Sequence, residues 1–323
     1  MSDRDPFDTL IGARRPLVLG IGGGGDVVGA LGLGELLRRI CGAEPVLGGI
    51  SWERLPLDPQ PGPRRAEEIE GARDLAPGVL LARANTRVRG TETRFSESRM
   101  AGFLDRPTVL IDMDAGPAAL AASLPAAMRQ LERDVLVLVD VGGDVLAHGD
   151  EPGLGSPLCD AVLLAAGAAV ARAGVPTVAA MFGAGCDGEL TTAEIAARVS
   201  ELGEARALSG ALGLTTGVAA VLEAAVAEVI TEASALPIRA LRGERGEIAI
   251  RGGRRSVHLT PAAPLFVFFD PVRAIDGGAV PLAAAVAQAA SLEEANDTLR
   301  ALGVRSELDW EREVAAQRAV QNR

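Results

Sequence analysis

The stretch Leu17-Val-Leu-Gly20-Ile-Gly22-Gly-Gly-Gly25-Asp26-Val-Val-Gly29 decides the fold. An apolar run of strand length passes into a glycine turn and then into the start of a helix. Gly20, Gly22 and Gly25 have the spacing of a dinucleotide-binding turn, in which the missing side chains let backbone N–H groups approach a phosphate. The stretch therefore predicts a strand–turn–helix unit of an α/β protein.

The same alternation of apolar runs and helix-period segments continues to about residue 190, which is typical of a parallel sheet covered by helices. The predicted strands are 16–21, 45–50, 79–84, 108–113, 135–139, 175–182 and 265–269, with a hairpin turning at Gly252-Gly253 and helices at 217–233 and 292–319. We expect one doubly wound α/β domain over residues 1–323. Its core is about 16–270, it has helices on both faces of a mainly parallel sheet, and a hairpin and a helical tail at 280–323 extend it.

Composition excludes several classes of protein. All 32 cationic side chains are arginine and the chain has no tyrosine, so a Walker A lysine, a Schiff-base lysine and a Tyr/Lys hydride-transfer pair are excluded. A net charge of −11 and only 3% aromatic residues argue against nucleic-acid binding, which needs clustered cations.

Targeting and assembly are also expectations from the sequence. No charge-free run is long enough to span a bilayer, and the first residues lack the features of a signal peptide. The three cysteines have no zinc-site spacing. We therefore expect a cytoplasmic protein that does not bind membranes, and its apolar, alanine-rich helices favour a homo-oligomer.

The glycine turn itself is the first candidate site. Gly22, Gly23, Gly24, Gly25 and Asp26 are the predicted phosphate-binding residues. Since the Asp26 carboxylate would repel a phosphate, a metal ion would have to lie between them, or the turn would hold a neutral polyol. The alternative is a tight turn in which Asp26 caps the helix.

The second candidate follows the strand at 135–139, where five carboxylates stand among glycines in residues 139–160. This density of oxygen ligands suits Mg²⁺ or another hard cation, or a sugar. We predict Asp140 and Asp144 as catalytic acids or metal ligands, Glu151 as a further metal ligand, and Gly143 and Ser156 as phosphate contacts.

The third candidate, Met-Phe-Gly-Ala-Gly185-Cys-Asp187-Gly-Glu189-Leu-Thr, repeats the strand–turn–helix pattern. Asp187 and Glu189 are predicted to be catalytic and Gly185 to bind phosphate, because crowded carboxylates raise each other's pKa toward neutrality. A less favoured alternative is a Cys186 nucleophile with His148 as its base.

Five arginines between residues 83 and 99 follow the third predicted strand. Arg87 and Arg94 are the predicted partners for an anionic group entering at the carboxyl edge of the sheet. The alternative is a solvated loop in which the arginines pair with Glu92 and Glu97.

Taken together, the Gly-Gly-Gly-Gly-Asp-Val, Asp-Val-Gly-Gly-Asp-Val-Leu-Ala and Gly-Cys-Asp-Gly-Glu-Leu-Thr motifs resemble the DUF1152 family over roughly residues 16–270. The resemblance implies a Rossmann-like α/β fold with one shared site. It implies no activity.

The residues favour an enzyme that acts on a small anionic, phosphorylated metabolite such as a nucleotide, sugar phosphate or diphosphate ester. Transfer, hydrolysis or elimination would use carboxylates such as Asp140, Asp144 and Glu189, either as ligands of Mg²⁺ or as acid and base without a metal. The alternatives are an NAD(P)-dependent oxidoreductase and a non-catalytic sensor of a nucleotide or metabolite.

Overall fold

A nine-stranded sheet forms the centre of the computed structural model, which describes residues 5–321. The strands of the chain are β1 Leu17–Gly20, β2 Val46–Ile50, β3 Ile69–Glu70, β4 Arg73–Ala76, β5 Val79–Ala82, β6 Arg87–Val88, β7 Thr108–Ile111, β8 Leu136–Val141, β9 Thr177–Phe182, β10 Leu208–Gly213, β11 Gly246–Ile250, β12 Arg255–Leu259 and β13 Leu265–Phe269. The order in the sheet is β10-β13-β9-β8-β1-β2-β7-β5-β4, while β3 pairs with β6 and β11 with β12.

Five central strands, β9, β8, β1, β2 and β7, run parallel to one another. From β1 the chain moves outward through β2 to β7, then returns to the other side of β1 to form β8 and β9. The connections therefore diverge between β1 and β8. In open α/β sheets, ligands bind in the crevice at the carboxyl edge at this kind of point.

Helices cover both faces of the sheet. Their bounds are α1 Pro6–Gly12, α2 Val27–Cys41, α3 Ser96–Leu104, α4 Gly116–Leu131, α5 Pro157–Arg172, α6 Thr192–Glu204, α7 Thr216–Ala225, α8 Leu236–Leu241, α9 Pro271–Asp276, α10 Pro281–Val286, α11 Leu292–Ala301 and α12 Glu307–Gln321. One face packs against α1, α2, α3 and α7, and the other against α4, α5, α9, α10 and α11. Successive residues of a strand point to opposite faces, so Leu17 and Leu19 enter one apolar core and Val18 enters the other.

The expected α/β class, with a Rossmann-like doubly wound sheet, is confirmed. The sheet is mixed rather than wholly parallel, because β5 and β13 run antiparallel to their neighbours β7 and β9. The hairpin at Gly252-Gly253 forms as β11 and β12. The sequence did not reveal β10 or the short strands β3, β4 and β6.

Two predicted helices are shorter than expected. The helix predicted at 217–233 ends with α7 at Ala225, and a 3₁₀ turn follows at Ala233–Ala235. The tail predicted as one helix at 292–319 is divided into α11 and α12 by Gly303, whose φ is +81°. Within the described residues, no helix combines the length and the apolar character needed to cross a membrane.

Candidate functional site: a buried carboxylate cluster

Six buried carboxylates meet where β1 and β8 end. They come from the three glycine-rich segments and from the first turn of α5, and they are Asp26, Asp140, Asp144, Asp160, Asp187 and Glu189. Their oxygens form two trios in which ligand atoms lie within 4.8 Å of one another: Asp26 with Asp140 and Asp160, and Asp144 with Asp187 and Glu189. Each trio has the spacing of a set of carboxylate ligands for a metal ion.

Asp26 binds the backbone of the glycine turn. Its Oδ2 accepts hydrogen bonds from the N–H groups of Gly22 at 2.9 Å and Val141 at 3.3 Å. The side chain does not cap α2, so the alternative role of helix cap is not the one the structure gives it. Burial raises the pKa of Asp26 to about 7, against the effect of these two hydrogen bonds.

The glycine turn has few donors left for a phosphate. The N–H of Gly22 donates to Asp26, that of Gly24 to the Trp52 carbonyl at 3.4 Å, and that of Gly25 to the Gly23 carbonyl at 2.7 Å. This arrangement does not favour direct contact between the turn and a dinucleotide pyrophosphate. It disfavours the NAD(P) alternative for the same reason.

Asp140 and Asp160 are the acids of the cluster that have the fewest hydrogen-bond partners among the described residues. Both are 0% exposed, and neither oxygen of either carboxylate has a hydrogen-bond partner among the described residues. Burial, followed by repulsion from the neighbouring acids, raises the pKa of both groups well above the usual range for aspartate. An uncompensated buried carboxylate costs several kcal/mol even after relaxation, so these oxygens require either protons or a cation.

The second trio differs in its hydrogen bonding. Glu189 accepts hydrogen bonds from the Gly155 N–H and from both the N–H and the hydroxyl of Ser156, at 2.6–2.8 Å. Asp187 accepts one from the Glu189 N–H at 3.1 Å, while its Oδ2 has no partner within the described part of the chain. Burial is the main cause that raises the pKa of Asp187 to about 7 and that of Asp144 well above its usual range. Glu189 is therefore fixed by three hydrogen bonds, whereas burial and crowding dominate the surroundings of Asp144 and Asp187.

Three arginines surround the carboxylates. The Arg54 guanidinium donates to the Gly22 carbonyl at 2.7 Å, stacks on Trp52 with 4.3 Å between its Cζ and the ring centroid, and approaches Glu307 at 3.3 Å. From the hairpin, Arg255 and Arg251 lie 3.2 and 3.5 Å from the Glu189 carboxylate. Positively charged arginine side chains therefore lie beside the acids at the edge of the site.

Sequence reasoning missed several of these residues. Asp160 is the sole charged side chain in the first four turns of the otherwise apolar α5, and that isolation was an available signal. Glu307 accepts hydrogen bonds from the N–H groups of Leu158 and Cys159 at the start of α5, both at 3.0 Å. No local pattern links residue 307 to that helix, which lies about 150 residues earlier in the chain.

Several predicted site residues lie elsewhere. Glu151 does not join the cluster: it accepts the N–H groups of His148 and Gly149 and pairs with Arg198 at 3.0 Å. Although burial opposes ionisation, these contacts lower the pKa of Glu151. These contacts with the 148–149 backbone and with Arg198 explain the burial of Glu151 without a metal ion.

The arginine stretch is also placed differently from the expectation. Because β5 runs antiparallel to β7, residue 83 leaves the sheet at the amino edge of the parallel strands, and the idea that the stretch follows the carboxyl edge was wrong. Arg87 pairs with Glu70 at 2.7 Å and with Glu92 at 3.3 Å, and the backbone of Arg94 forms an isolated antiparallel bridge with that of Arg87. This resembles the alternative of a solvated, ion-paired loop.

The cysteine alternative has no support in the geometry. Cys186 is 0% exposed in a small apolar cluster, and burial raises the pKa of its thiol. His148 Nε2 lies 2.9 Å from Glu201 on α6. Gly143 and Gly185, also predicted to bind phosphate, shape the turns that carry the acids. Gly143 precedes Asp144 with φ +120°, and the Gly185 N–H donates to the Gly142 carbonyl at 2.7 Å.

Comparison with known proteins gives one match. The family model described as "Protein of unknown function (DUF1152)" matches residues 17–315, from the first strand to within α12. No curated protein and no solved structure shows significant similarity to the chain. The match extends beyond residue 270, so it includes Glu307 and the helices that pack on α5. The chain belongs to the DUF1152 family.

Proposed function

We propose that this protein is a divalent-cation-dependent enzyme whose substrate is a small phosphorylated metabolite. The observation that carries the proposal is the set of four unpartnered oxygens of Asp140 and Asp160, buried beside Asp26. A hard cation such as Mg²⁺ neutralises crowded carboxylates and is well matched to oxygen ligands. Protons shared between neighbouring acids are the alternative way to neutralise the cluster, and a measurement of cation binding distinguishes the two.

The first trio is the better cation site. Among residues 5–321, no arginine is in salt-bridge contact with Asp26, Asp140 or Asp160. Glu189 in the second trio already accepts three hydrogen bonds and faces two arginines. A cation at the first trio would supply charge stabilisation and orientation for an anionic substrate. Asp144 and Asp187, with raised pKa values, would then be suited to move a proton.

A phosphorylated substrate fits the mixed charge of the site. Acids that hold a metal, with arginines beside them, match the charge distribution of a phosphoryl group bound between a cation and guanidinium donors. Transfer, hydrolysis and elimination all remain compatible with these groups. A sensor without turnover would need the same binding residues but not the proton-transfer acids.

The experiment is Mn²⁺ binding, measured by the loss of the free-ion EPR signal near pH 7.5. Asp160→Asn is expected to weaken Mn²⁺ binding at least about 10-fold, because it removes one charged ligand. The control is Asp150→Asn, whose side chain is 84% exposed and which should bind Mn²⁺ like the wild type. Absence of Mn²⁺ binding at millimolar concentration would sink the proposal.

Turnover is tested next with a panel of nucleotides, sugar phosphates and diphosphate esters, with Mg²⁺ and with a chelator. We expect Mg²⁺-dependent product formation from at least one compound, abolished by Asp144→Asn or Asp187→Asn. Tight binding of a compound without turnover would favour the sensor.

We further propose a cytoplasmic homo-oligomer that does not bind nucleic acid. The three cysteines are free, which suits a reducing compartment, and the net charge of −11 disfavours phosphate backbones. Light scattering tests the oligomer, and a monomer would refute it.

A further inference from the structure

The β11–β12 hairpin lies over the second trio and is attached separately from the main cores. Its apolar residues pack in a small cluster around Cys186, Leu236 and Val257. Gly188, between the acids Asp187 and Glu189, approaches the backbone and side chains of β12, since a Cβ at Gly188 would meet the Ser256 carbonyl at 3.4 Å. The hairpin thus brings its arginines to the acids from outside the sheet.

Exposure falls stepwise along this side of the site. The Arg251 side chain is 40% exposed, that of Arg255 is 24% exposed, and that of Glu189 is fully buried. Asp187 is buried as well, and its Oδ2 has no hydrogen-bond partner among the described residues. The two guanidinium groups are therefore more exposed than the acids beside them.

The two arginines share one carboxylate that is already satisfied. Glu189 accepts hydrogen bonds from Gly155 and Ser156 without them. Arg255 Nη1 is buried and lies 3.2 Å from Glu189 without forming a hydrogen bond of good geometry. The two guanidinium groups therefore share Glu189 and also act on the neighbouring Asp187, while the buried Nη1 of Arg255 still lacks an acceptor among the described residues.

We propose that Arg255, with Arg251 beside it, binds the phosphoryl group of the substrate under the β11–β12 hairpin. This rests on the proposed function, because the phosphoryl group would lie between these guanidinium groups and the cation. Guanidinium groups offer paired N–H donors that match phosphoryl oxygens. Arg255 is then the residue that makes this subsite prefer the phosphoryl group of the substrate.

The test uses inorganic phosphate as the probe and protein loaded with Mn²⁺. Bound Mn²⁺ broadens the ³¹P resonance of phosphate that binds close to it, so titration gives both the affinity and the proximity to the metal. Arg255→Gln is expected to weaken phosphate binding by about 10- to 100-fold, the effect of losing a charged hydrogen-bond donor. Arg255→Lys, which keeps the charge but loses the paired donors, should have an intermediate affinity.

The matched control is Arg254→Gln. Arg254 lies on the same hairpin, is exposed, and donates its Nε–H to the Arg251 carbonyl. It should bind phosphate within about twofold of the wild type. Mn²⁺ affinity, measured separately by EPR, should not fall in any hairpin variant, and thermal melting checks that each variant is folded.

The outcomes separate the two proposals. Loss of phosphate binding in Arg255→Gln but not in Arg254→Gln supports the subsite. Phosphate binding that is equal in both variants overturns it, as does acetate binding that matches phosphate and is lost in Arg255→Gln. Wild-type protein that binds Mn²⁺ but no phosphate refutes the subsite alone, whereas protein that binds no Mn²⁺ refutes the proposed function.

Discussion

The Gly22 N–H donates to the Asp26 carboxylate at 2.9 Å, so a side chain of the protein itself accepts a hydrogen bond from the glycine turn. Asp160 lies on the same side, since a Cβ on Gly22 would be 2.7 Å from Asp26 Oδ2 and 3.1 Å from Asp160 Oδ2. Glycine is needed at position 22 because two carboxylates occupy the space that a side chain would take. The turn thus brings together acids of the first trio.

Gly22→Ala should therefore disturb both acids. We expect the free energy of unfolding to fall by about 1–3 kcal/mol, the usual cost of an added methyl in a filled space. Mn²⁺ affinity should fall as well. The measurements are urea denaturation and EPR. In the control Gly203→Ala, on α6, a Cβ meets nothing within 4 Å, so stability should be unchanged or raised by up to about 1 kcal/mol. Equal effects of the two substitutions would contradict the role assigned to Gly22.

The stability of the metal-free protein should fall as the pH rises from about 4 to about 7. Burial raises the folded-state pKa of Asp26 and Asp187 from 3.8 to about 7. Over this window the folded chain holds protons that the unfolded chain has released, so the free energy of unfolding decreases by about 1.4 kcal/mol per pH unit for each such group.

Urea denaturation with a chelator at pH 5, 6, 7 and 8 measures this slope. Asp26→Asn should make the decrease shallower, because one of the titrating groups is gone. Saturating Mg²⁺ should also flatten it, since the cation replaces the protons. A wild-type protein whose stability rises steadily across this range would contradict the raised pKa values.

Glu307→Gln should destabilise the protein although the residue lies near the end of the chain. Its carboxylate accepts the Leu158 and Cys159 N–H groups and pairs with Arg54, and the side chain is 4% exposed. We expect a loss of about 1–3 kcal/mol, because the neutral amide leaves a charged partner and a backbone donor poorly satisfied. Glu313→Gln, on the same helix with a side chain 56% exposed, should change stability by less than about 1 kcal/mol. If chemical denaturation showed the same loss of stability for Glu307→Gln and Glu313→Gln, the buried contacts of Glu307 would have no particular role in stability.

Cys186 should resist alkylation in the native protein. Its side chain is fully buried and burial raises the pKa of the thiol, so little thiolate is present at neutral pH. Cys41 is partly exposed and should react with iodoacetamide first, as peptide mass spectrometry can measure. Labelling of Cys186 at the rate of Cys41 would reopen its role as a nucleophile.

Local pattern predicted the elements whose cause is local. The hairpin follows from Gly252 and Gly253, which adopt φ of +66° and +83°, and the capping box at Thr191 starts α6. The direction of β5 could not be predicted, because Val79–Ala82 is a continuous apolar run buried on both faces, which is also the pattern of a parallel strand. The half-exposed strand β10, rich in Gly, Ala and Ser, has no clear periodicity at all.

Long-range contacts explain the other misses. The helix predicted to reach residue 233 ends at Ala225, and the segment after it packs on the glycine turn, where the Ser234 hydroxyl donates to the Gly25 carbonyl at 3.2 Å. The three glycine-rich segments could be grouped from the sequence, since all follow apolar strands. Arg54 and Arg255 could not, because ion pairs across the fold leave no trace in local spacing.

The contacts of α12 also bear on when the site can form during synthesis. Glu311 accepts the Trp52 indole N–H at 2.9 Å across 259 positions, and Glu307 meets Arg54 across 253. Since domains fold as the chain emerges from the ribosome, β1, β2 and α5 can assemble long before their last polar partners are translated. Ribosomes that stop before residue 307 would therefore release chains with most of the sheet but without the contacts that fix Trp52 and Arg54. The contacts of Trp52 and Arg54 with Glu311 and Glu307 thus form only after α12 has been translated.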